Sequence, residues 1–571
     1  MARRRRRGYS SPNDRPVKRT ARAMVRLFQP PEAEAAFDFV IVGAGSAGCV
    51  LAERLSLSGR HSVAVIEAGG SDRRFWVQTP LGYGKTFYDA SLNWGYRAEP
   101  DPGFAGRSDY WPRGKVLGGS SSINAMVWIR GAPEDFDEWA AEGNPGWSYA
   151  DCLPYFKAIE DNESGADAWR GRGGAVRVSD VSDRMHPLAR RFLEAAQQAG
   201  FPLNRDFNGA AQEGVGIYQI NVKNGWRVSA AKAFLRPAAR LANVRVFPGT
   251  LATRILFEGR RAAGVEIRRG GVTQTLRARR ETILCAGAVN SPQLLQISGV
   301  GAAAHLAAIG VAPVCVSPAV GFNLQDHVGI NYTYRSRVGT LNGALRPWSG
   351  KILAGLDFLL RSRGPLSLSL NQAGGFVRAR PGATRPDIQL YLQAISTFAA
   401  KAGSRPLLTP DPFPGFSLGL SNCRPTSRGS VLARSPDPDD PPSIRPNALA
   451  TRDDVETILA GVKLLRRLAA QPALSEIVEA ELAPGPDVLT DEQMIADFRL
   501  RGGTVYHPVG TCRMAPSAER GAVDARLRIY GVEGLRVVDA SVFPSVVSGN
   551  VNAPVMMIAA KAGAAILEDA R

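Results

Sequence analysis

The sequence predicts an α/β composite: a doubly wound parallel sheet joined to a second domain built on an antiparallel sheet. Three observations predict it. The run Phe37-Asp38-Phe39-Val40-Ile41-Val42 is short, apolar and β-branched, as in a buried parallel strand. A glycine turn, a stretch from Ala47 to Leu57 at helical spacing, and a second such run, Ser62-Val63-Ala64-Val65-Ile66-Glu67, complete a βαβ unit. Strand-like runs within 330–450, such as Ile388-Gln389-Leu390-Tyr391-Leu392 and Ser430-Val431-Leu432-Ala433, suggest the separate antiparallel sheet.

The other elements follow in order. Residues 71–112 read as a loop-rich lid with Trp76, Trp94 and Trp111 among glycines and prolines. Val244–Phe247, Thr253–Phe257 and Ala263–Ile267 read as successive strands, and Asp453 to Ala470 as a long helix. The tail returns to a strand, Leu535–Asp539, and a helix, Ala553 to Leu567. This divides the chain into an Arg-rich extension (1–36), a mainly dinucleotide-binding part (37–329), a mainly substrate-binding part (330–500) and a return to the first domain (501–571).

At 571 residues the chain is too long for one ordinary core. Residues 1–36 hold ten Lys/Arg against three Asp/Glu, a net of +7, leaving +11 of the total +18 for the rest. That distribution marks a solvated, disordered tail rather than a nucleic-acid arm. No apolar stretch follows the arginines of 3–7 as a secretion signal requires, and no run of about eighteen apolar residues exists to span a bilayer. The six cysteines are widely spaced with no CxxC pair, which argues against a disulfide framework or a zinc site. A reducing, cytoplasmic setting is expected, and no metal.

Gly43-Ala44-Gly45-Ser46-Ala47-Gly48 is a GxGxxG turn between strand and helix. Gly43 allows the tight turn, Gly45 lets backbone approach a pyrophosphate, and Gly48 lets helix and sheet pack closely. Glu67, twenty-four residues after Gly43, stands where an acidic side chain accepts hydrogen bonds from an adenosine ribose. The turn binds a dinucleotide, but by itself does not say which.

Longer segments do. Arg113-Gly114-Lys115-Val116-Leu117-Gly118-Gly119-Ser120-Ser121-Ser122-Ile123-Asn124 and Gly287-Ala288-Val289-Asn290-Ser291-Pro292-Gln293-Leu294-Leu295-Gln296-Ile297-Ser298-Gly299-Val300-Gly301 resemble the two signatures of the glucose–methanol–choline (GMC) oxidoreductases. The segments Arg227 to Pro237, His507-Pro508-Val509-Gly510-Thr511-Cys512-Arg513-Met514 and Asn550-Val551-Asn552-Ala553-Pro554 also look like that family, its choline dehydrogenase-like branch. The likeness runs in order from Phe37 to the C-terminus. It implies FAD as cofactor, held by Gly43, Gly45, Ser46, Ala47 and Gly48, by Glu67 and Ala68, and by Arg113, Val116, Gly119 and Ser120. It further implies contacts from Asn124, Ala125, Met126 and Val127, from the backbone at Ala252, and from Asp539, Ala540, Asn552 and Ala553. Some choline oxidases bind FAD covalently through a histidine just before the asparagine of the first signature. That position is Ile123 here, so non-covalent FAD is expected.

Oxidising an alcohol needs a base for the hydroxyl proton and an acceptor for the carbon hydride. Among five histidines, His507 sits in what resembles the catalytic motif, and Asn552 is expected to hydrogen-bond the substrate oxygen. His327, in Asn323-Leu324-Gln325-Asp326-His327, reads as structural. The expected activity is hydride transfer from an alcohol to flavin, giving an aldehyde or ketone, with oxygen or another acceptor reoxidising the flavin. Two alternatives stand beside it. One is a flavin enzyme of the same fold with photodecarboxylase or hydroxynitrile lyase chemistry, for which Arg424 and Arg428 are candidate carboxylate ligands. The other is a binding protein with an Arg-rich tail. Trp94 and Tyr96 are candidates for an aromatic box around a quaternary ammonium, against a simpler packing role.

Overall fold

The computed structural model describes residues 34–398 and 409–571. Along the chain run β1 (Glu34–Val42), α1 (Ser46–Ser56), β2 (Val63–Glu67), β3 (Gly214–Ile217), β4 (Val244–Pro248), β5 (Leu251–Glu258) and β6 (Arg261–Arg269). Next come β7 (Val272–Leu284), α2 (Gly287–Ile297), β8 (Val328–Ser336), α3 (Trp348–Arg361), β9 (Asn371–Val377), β10 (Ile388–Gln393) and β11 (Gly415–Asn422). The chain ends with α4 (Arg452–Ala469), β12 (Val478–Ala483), β13 (Gly503–Thr504), β14 (Leu535–Val537) and α5 (Asn552–Asp569).

The first sheet has the order β4-β2-β1-β7-β6-β5, with β14 also on β7. Strands β4, β2, β1, β7 and β14 are parallel. Their central segments, Phe39–Val42, Val63–Ile66 and Ile283–Leu284, are apolar and buried because both faces are covered there. The register aligns Val42 with Ile66 and Leu284, Leu284 with Val537, and Pro248 with Glu67. The carboxyl ends of five strands therefore meet at one edge, where ligands bind in open α/β sheets. β1 begins at Glu34, three residues earlier than the sequence suggested. The long β7 extends past the core and pairs Ala35 and Ala36 with Leu276 and Arg277. The rest of the expected extension, 1–33, lies outside the described residues.

The second sheet is antiparallel, with the order β12-β8-β11-β10-β9-β3 and β13 on β8. Helix α4 covers one face, packing Ile458, Val462, Leu465 and Leu468 against Ile388, Leu418 and Leu420. Thr451 caps it by accepting the Asp454 N–H, and two aspartates in the first turn oppose two arginines in the last. The run at Ser430 is a strand, but it belongs to a separate three-stranded sheet with Phe322–Leu324 and Ser443–Arg445. Residues 71–112 hold two one-turn helices, Phe75–Gln78 and Tyr83–Thr86, and a hairpin pairing Tyr96 with Trp111.

Candidate active site

At the shared strand edge lies a cavity of about 800 Å³. It runs from Gly43, Glu67 and Ala252 to His507 and Asn550, and is closed at that end by Ile330, Tyr391 and Ser417 of the second sheet. Of the residues expected to hold a cofactor, Gly43, Gly45, Ser46, Ala47, Glu67, Ala68, Arg113, Gly119, Ser120, Asn124, Ala125, Met126, Val127, Ala252, Asp539, Ala540 and Asn552 line this cavity. Gly48, Val116 and Ala553 do not. A Cβ on Gly48 would stand 1.9 Å from the Gly43 carbonyl oxygen, so this glycine serves the turn itself. Val116 packs its side chain on Val77 and Leu92, and Ala553 is buried in the main core.

The backbone around the cavity tolerates no side chain at Gly43 or Gly119. Gly43 adopts φ +102°, and a Cβ there would lie 2.5 Å from the Cys285 carbonyl. Gly119, at φ +52°, would place one 2.7 Å from Gly45 Cα. The glycine turn and the Gly118-Gly119 loop thus touch backbone to backbone. Beside them α1 starts with N–H groups that have no intrahelical acceptor, an arrangement that suits a pyrophosphate.

The Glu67 carboxylate accepts the N–H groups of Ala44 (3.0 Å) and Gly69 (2.8 Å). Burial nevertheless pushes its pKa up to about 7. Asp539 accepts from Gly287 N–H (2.8 Å) and Ser291 hydroxyl (2.6 Å) with one oxygen, and from Ser541 N–H (2.8 Å) and hydroxyl (2.6 Å) with the other. It clips the start of α2 to the turn after β14. Asn552 opens α5; its amide oxygen accepts the Ser46 hydroxyl (2.7 Å), while its buried Nδ2 has no partner. An unpaired donor at the wall of a cavity, glycines that keep the cradle bare, and an acidic group at the far strand end together fit a flavin dinucleotide.

His507 is set by its neighbours. Residues 323–327 and 505–510 are tied by reciprocal Gln325–Val509 backbone bonds (3.1 and 2.9 Å) and by Val505 N–H on the His327 carbonyl (3.0 Å). Tyr506 takes φ +70°, costly for a tyrosine, which turns the chain so that the His507 N–H meets Asp326 (2.7 Å). Arg113 donates to the Tyr506 carbonyl (2.8 Å).

The ring nitrogens form one directed chain. His327 Nε2 faces the Cys423 carbonyl (2.9 Å), which only accepts, so the proton of neutral His327 sits on Nε2. Its Nδ1 is then an acceptor, 3.0 Å from His507 Nδ1, which must carry the proton. His507 Nε2 is left with a bare lone pair, 3.2 Å from Asn550 Nδ2. The amide is oriented because Asn550 Oδ1 accepts from Gln389 (3.3 Å). Both rings are neutral at pH 7: burial holds His327 down at about 4, and burial, then the charges of His327 and Arg113, hold His507 well below its ordinary value.

Two sequence expectations change here. The residue paired with His507 is Asn550, not Asn552. Two residues of a tight turn send the one side chain to the histidine and the other to the glycine loop. His327, read as structural, is hydrogen-bonded to His507. No sequence signal marks that contact, because 180 residues separate the two.

Other candidates are already engaged by their own neighbours. Arg424 and Arg428 line a separate, smaller pocket and donate to the carbonyls of Pro386, Pro425 and Ser427. Trp94 stacks on Tyr96 at 5.8 Å, but Lys115 Nζ already sits 4.4 Å from the Trp94 ring. A cation in that place leaves no electrostatic reason to admit a second. All six cysteines are buried and unpaired. Among the described residues no helix is long and apolar enough to cross a membrane.

A cavity built for a dinucleotide, ending on a neutral, half-buried histidine, defines a cofactor-dependent oxidoreductase. The chain belongs to the GMC oxidoreductase family, whose N-terminal model matches residues 37–329 and C-terminal model residues 425–559. It is 44% identical to "Choline dehydrogenase, mitochondrial" of Mus musculus, over 92% of this chain and 88% of that one. It is 40% identical to "Alcohol dehydrogenase [acceptor]" of Pseudomonas putida, over 93% and 96%. Among solved structures, pyridoxine 4-oxidase from Mesorbium loti superposes with a TM-score of 0.83 at 32% identity, over 92% and 98%. The protein is thus an FAD-dependent enzyme acting on CH–OH donors.

Proposed function

We propose that His507 is the base of this alcohol oxidation and that Asn550 holds the substrate oxygen beside it. The single observation that carries this reading is the directed chain Cys423–His327–His507–Asn550, which leaves a basic Nε2 at the cavity wall. When bound, FAD supplies the hydride acceptor. Its holders are the residues lining the glycine end, with Asn552 offering its free Nδ2. An alcohol hydroxyl entering between His507 and Asn550 gives its proton to Nε2 and accepts a hydrogen bond from the amide. That bond strengthens as charge develops on the oxygen, so it lowers the barrier more than it tightens ground-state binding. The second sheet, through Tyr391, Ser417 and Ile330, closes this end and keeps water out.

The substrate side favours an uncharged alcohol. Arg107, Arg113 and Arg501 line the cavity there; Arg501 is paired with Asp497 (2.6 Å), and the nearby carboxylate of Asp109 is engaged by Arg107 (3.0 Å) and the Thr504 N–H (3.1 Å). A quaternary ammonium such as choline, named for the mouse relative, finds the Asp109 counter-charge already taken and the Arg113 cation beside it. The buried, unpaired thiols support a reducing, cytoplasmic setting, with oxygen or another acceptor taking the electrons.

Anaerobic reduction of the holoenzyme by a panel of alcohols tests this. Bleaching of the flavin absorbance by aliphatic or benzylic alcohols, abolished in His507→Ala, is expected. Bleaching by choline alone refutes the uncharged-alcohol reading. Full reduction of His507→Ala refutes the base.

A further inference from the structure

Helix α3 (Trp348–Arg361) is apolar on two opposite sides. Its inner side buries Ala354 and Phe358, and the Phe358 ring packs on Phe75 and Trp226 at 6.2 and 4.6 Å. At 3.6 residues per turn, Trp348, Ile352, Leu356 and Leu359 line the outer side, with Leu353 and Leu360 next to them. All six are exposed, Trp348, Leu353 and Leu360 to 76%, 66% and 79%. Scattered exposed leucines are ordinary, but six large apolar side chains on one outward helix face mark an interaction surface.

Charge says what it meets. Between residues 341 and 363 the basic side chains are Arg346, Lys351, Arg361 and Arg363, and the acidic one is Asp357, a net of +3. All four cations are exposed. Lys351 lies beyond one edge of the apolar strip, and Arg361, paired with Asp357 at 3.7 Å, beyond the other. Lys85 lies close enough to Lys351 for the two to repel, adding to the same patch.

A second copy fits poorly, since a two-fold contact would press this basic patch against itself. A protein partner fits poorly too. Fourteen residues make a strip about 21 Å long and about 10 Å wide, roughly 200 Å², against about 800 Å² per side for a stable interface. A shallow apolar strip between basic flanks is what an interfacial helix presents to a bilayer with anionic headgroups.

We propose that α3 is a lipid-docking helix, its outer face seated in the interface of an anionic bilayer with Lys351, Arg361 and Arg363 at the headgroups. The placement bears on the site. Beyond α3 the chain reaches Ser369 and Leu370, which hydrogen-bond the hydroxyl of cavity-lining Tyr83. Docking sets that wall of the cavity beside the membrane.

Flotation of the full-chain holoenzyme with phosphatidylcholine vesicles, with or without phosphatidylglycerol, tests the proposal. The protein should float with the anionic vesicles and about tenfold less with neutral ones. Two variants, Leu353→Glu/Leu360→Glu and Lys351→Glu/Arg363→Glu, should each lose flotation while keeping flavin content and turnover of a water-soluble alcohol. Their positions are solvent-exposed, so folding is not at stake. No flotation, equal flotation with neutral vesicles, or flotation that persists in the double-glutamate leucine variant overturns the proposal. So does a solution mass of twice the chain that the leucine variant returns to one.

Discussion

His327 and His507 face each other Nδ1 to Nδ1 at 3.0 Å. Two imidazoles can share that contact only if one donates, and the Cys423 carbonyl on the far side of His327 decides which. The base proposed for the reaction is therefore oriented by a backbone carbonyl through a second ring.

Replacing His327 by Leu removes the acceptor and leaves a buried N–H unpaired, at a cost of about 1–3 kcal/mol. The His507 ring is then free to take the other tautomer, and kcat should fall about 10²-fold, less than the ~10⁴ seen when a charged partner is lost from a triad. His327→Asn puts an amide oxygen near the position of Nδ1 and should recover at least about tenfold of that. Steady-state kinetics read the split between the variants. Nitrogen-15 spectra of labelled enzyme read the tautomer. Equal losses in both variants would reduce His327 to packing.

Asn550 and Asn552 should separate cleanly. Asn550→Ala removes the amide at His507 and should lower kcat/KM by about 10²–10³ with flavin still bound. Asn552→Ala removes a group from the glycine-loop side and should instead release flavin during purification. Flavin content and stopped-flow reduction of the two proteins decide, and the reverse pattern would return the catalytic role to Asn552.

The pH profile follows from the direction of two shifts. As the proposed base, His507 must be neutral and its pKa lies below 6.5, so its protonation should cut kcat/KM only in acid. Asp326, which holds the His507 N–H, is pushed up to about 7, mainly by burial. Its protonation as pH falls through 7 weakens that hold. An inflection near 7 should disappear in Asp326→Asn while the limb below 6.5 remains. A profile unchanged by Asp326→Asn would detach this carboxyl from the rate.

Gly119→Ala tests the cradle. Left-handed backbone costs a non-glycine residue about 1–2 kcal/mol, and the added methyl would also meet Gly45 Cα at 2.7 Å. The two loops must part. We expect the variant to be purified without flavin and to melt lower than the wild type, as read by absorbance and thermal denaturation. Normal flavin content would show that the loops need not touch.

Much of the first sheet was legible because its signals are local. A buried strand is a continuous apolar run, and the turn at Gly43 needs its glycines within six residues. Glu67 was found the same way, as the last residue of a strand at a fixed spacing. The second sheet was harder to read. Ile388–Gln393 shows itself, but Gly214–Ile217 joins the sheet from far upstream. Asn371–Val377 carries two adjacent glycines that a strand pattern disfavours, and they are needed there because neighbouring backbone leaves no room: Cβ atoms would come within 2.0 and 2.3 Å of the Leu390 and Gly214 carbonyls.

The sequence alone determined the class of fold and the cofactor and pointed to His507, since each rests on short-range spacing and on motifs that survive as contiguous text. Only the tertiary structure decided which asparagine faces the histidine, that His327 sets its tautomer, and that the outer face of α3 is left uncovered. Those outcomes depend on where side chains 43 to 180 residues apart are brought together, and on which face of a helix the core happens to cover. Hydrogen-bond direction and burial exist only after the chain has folded.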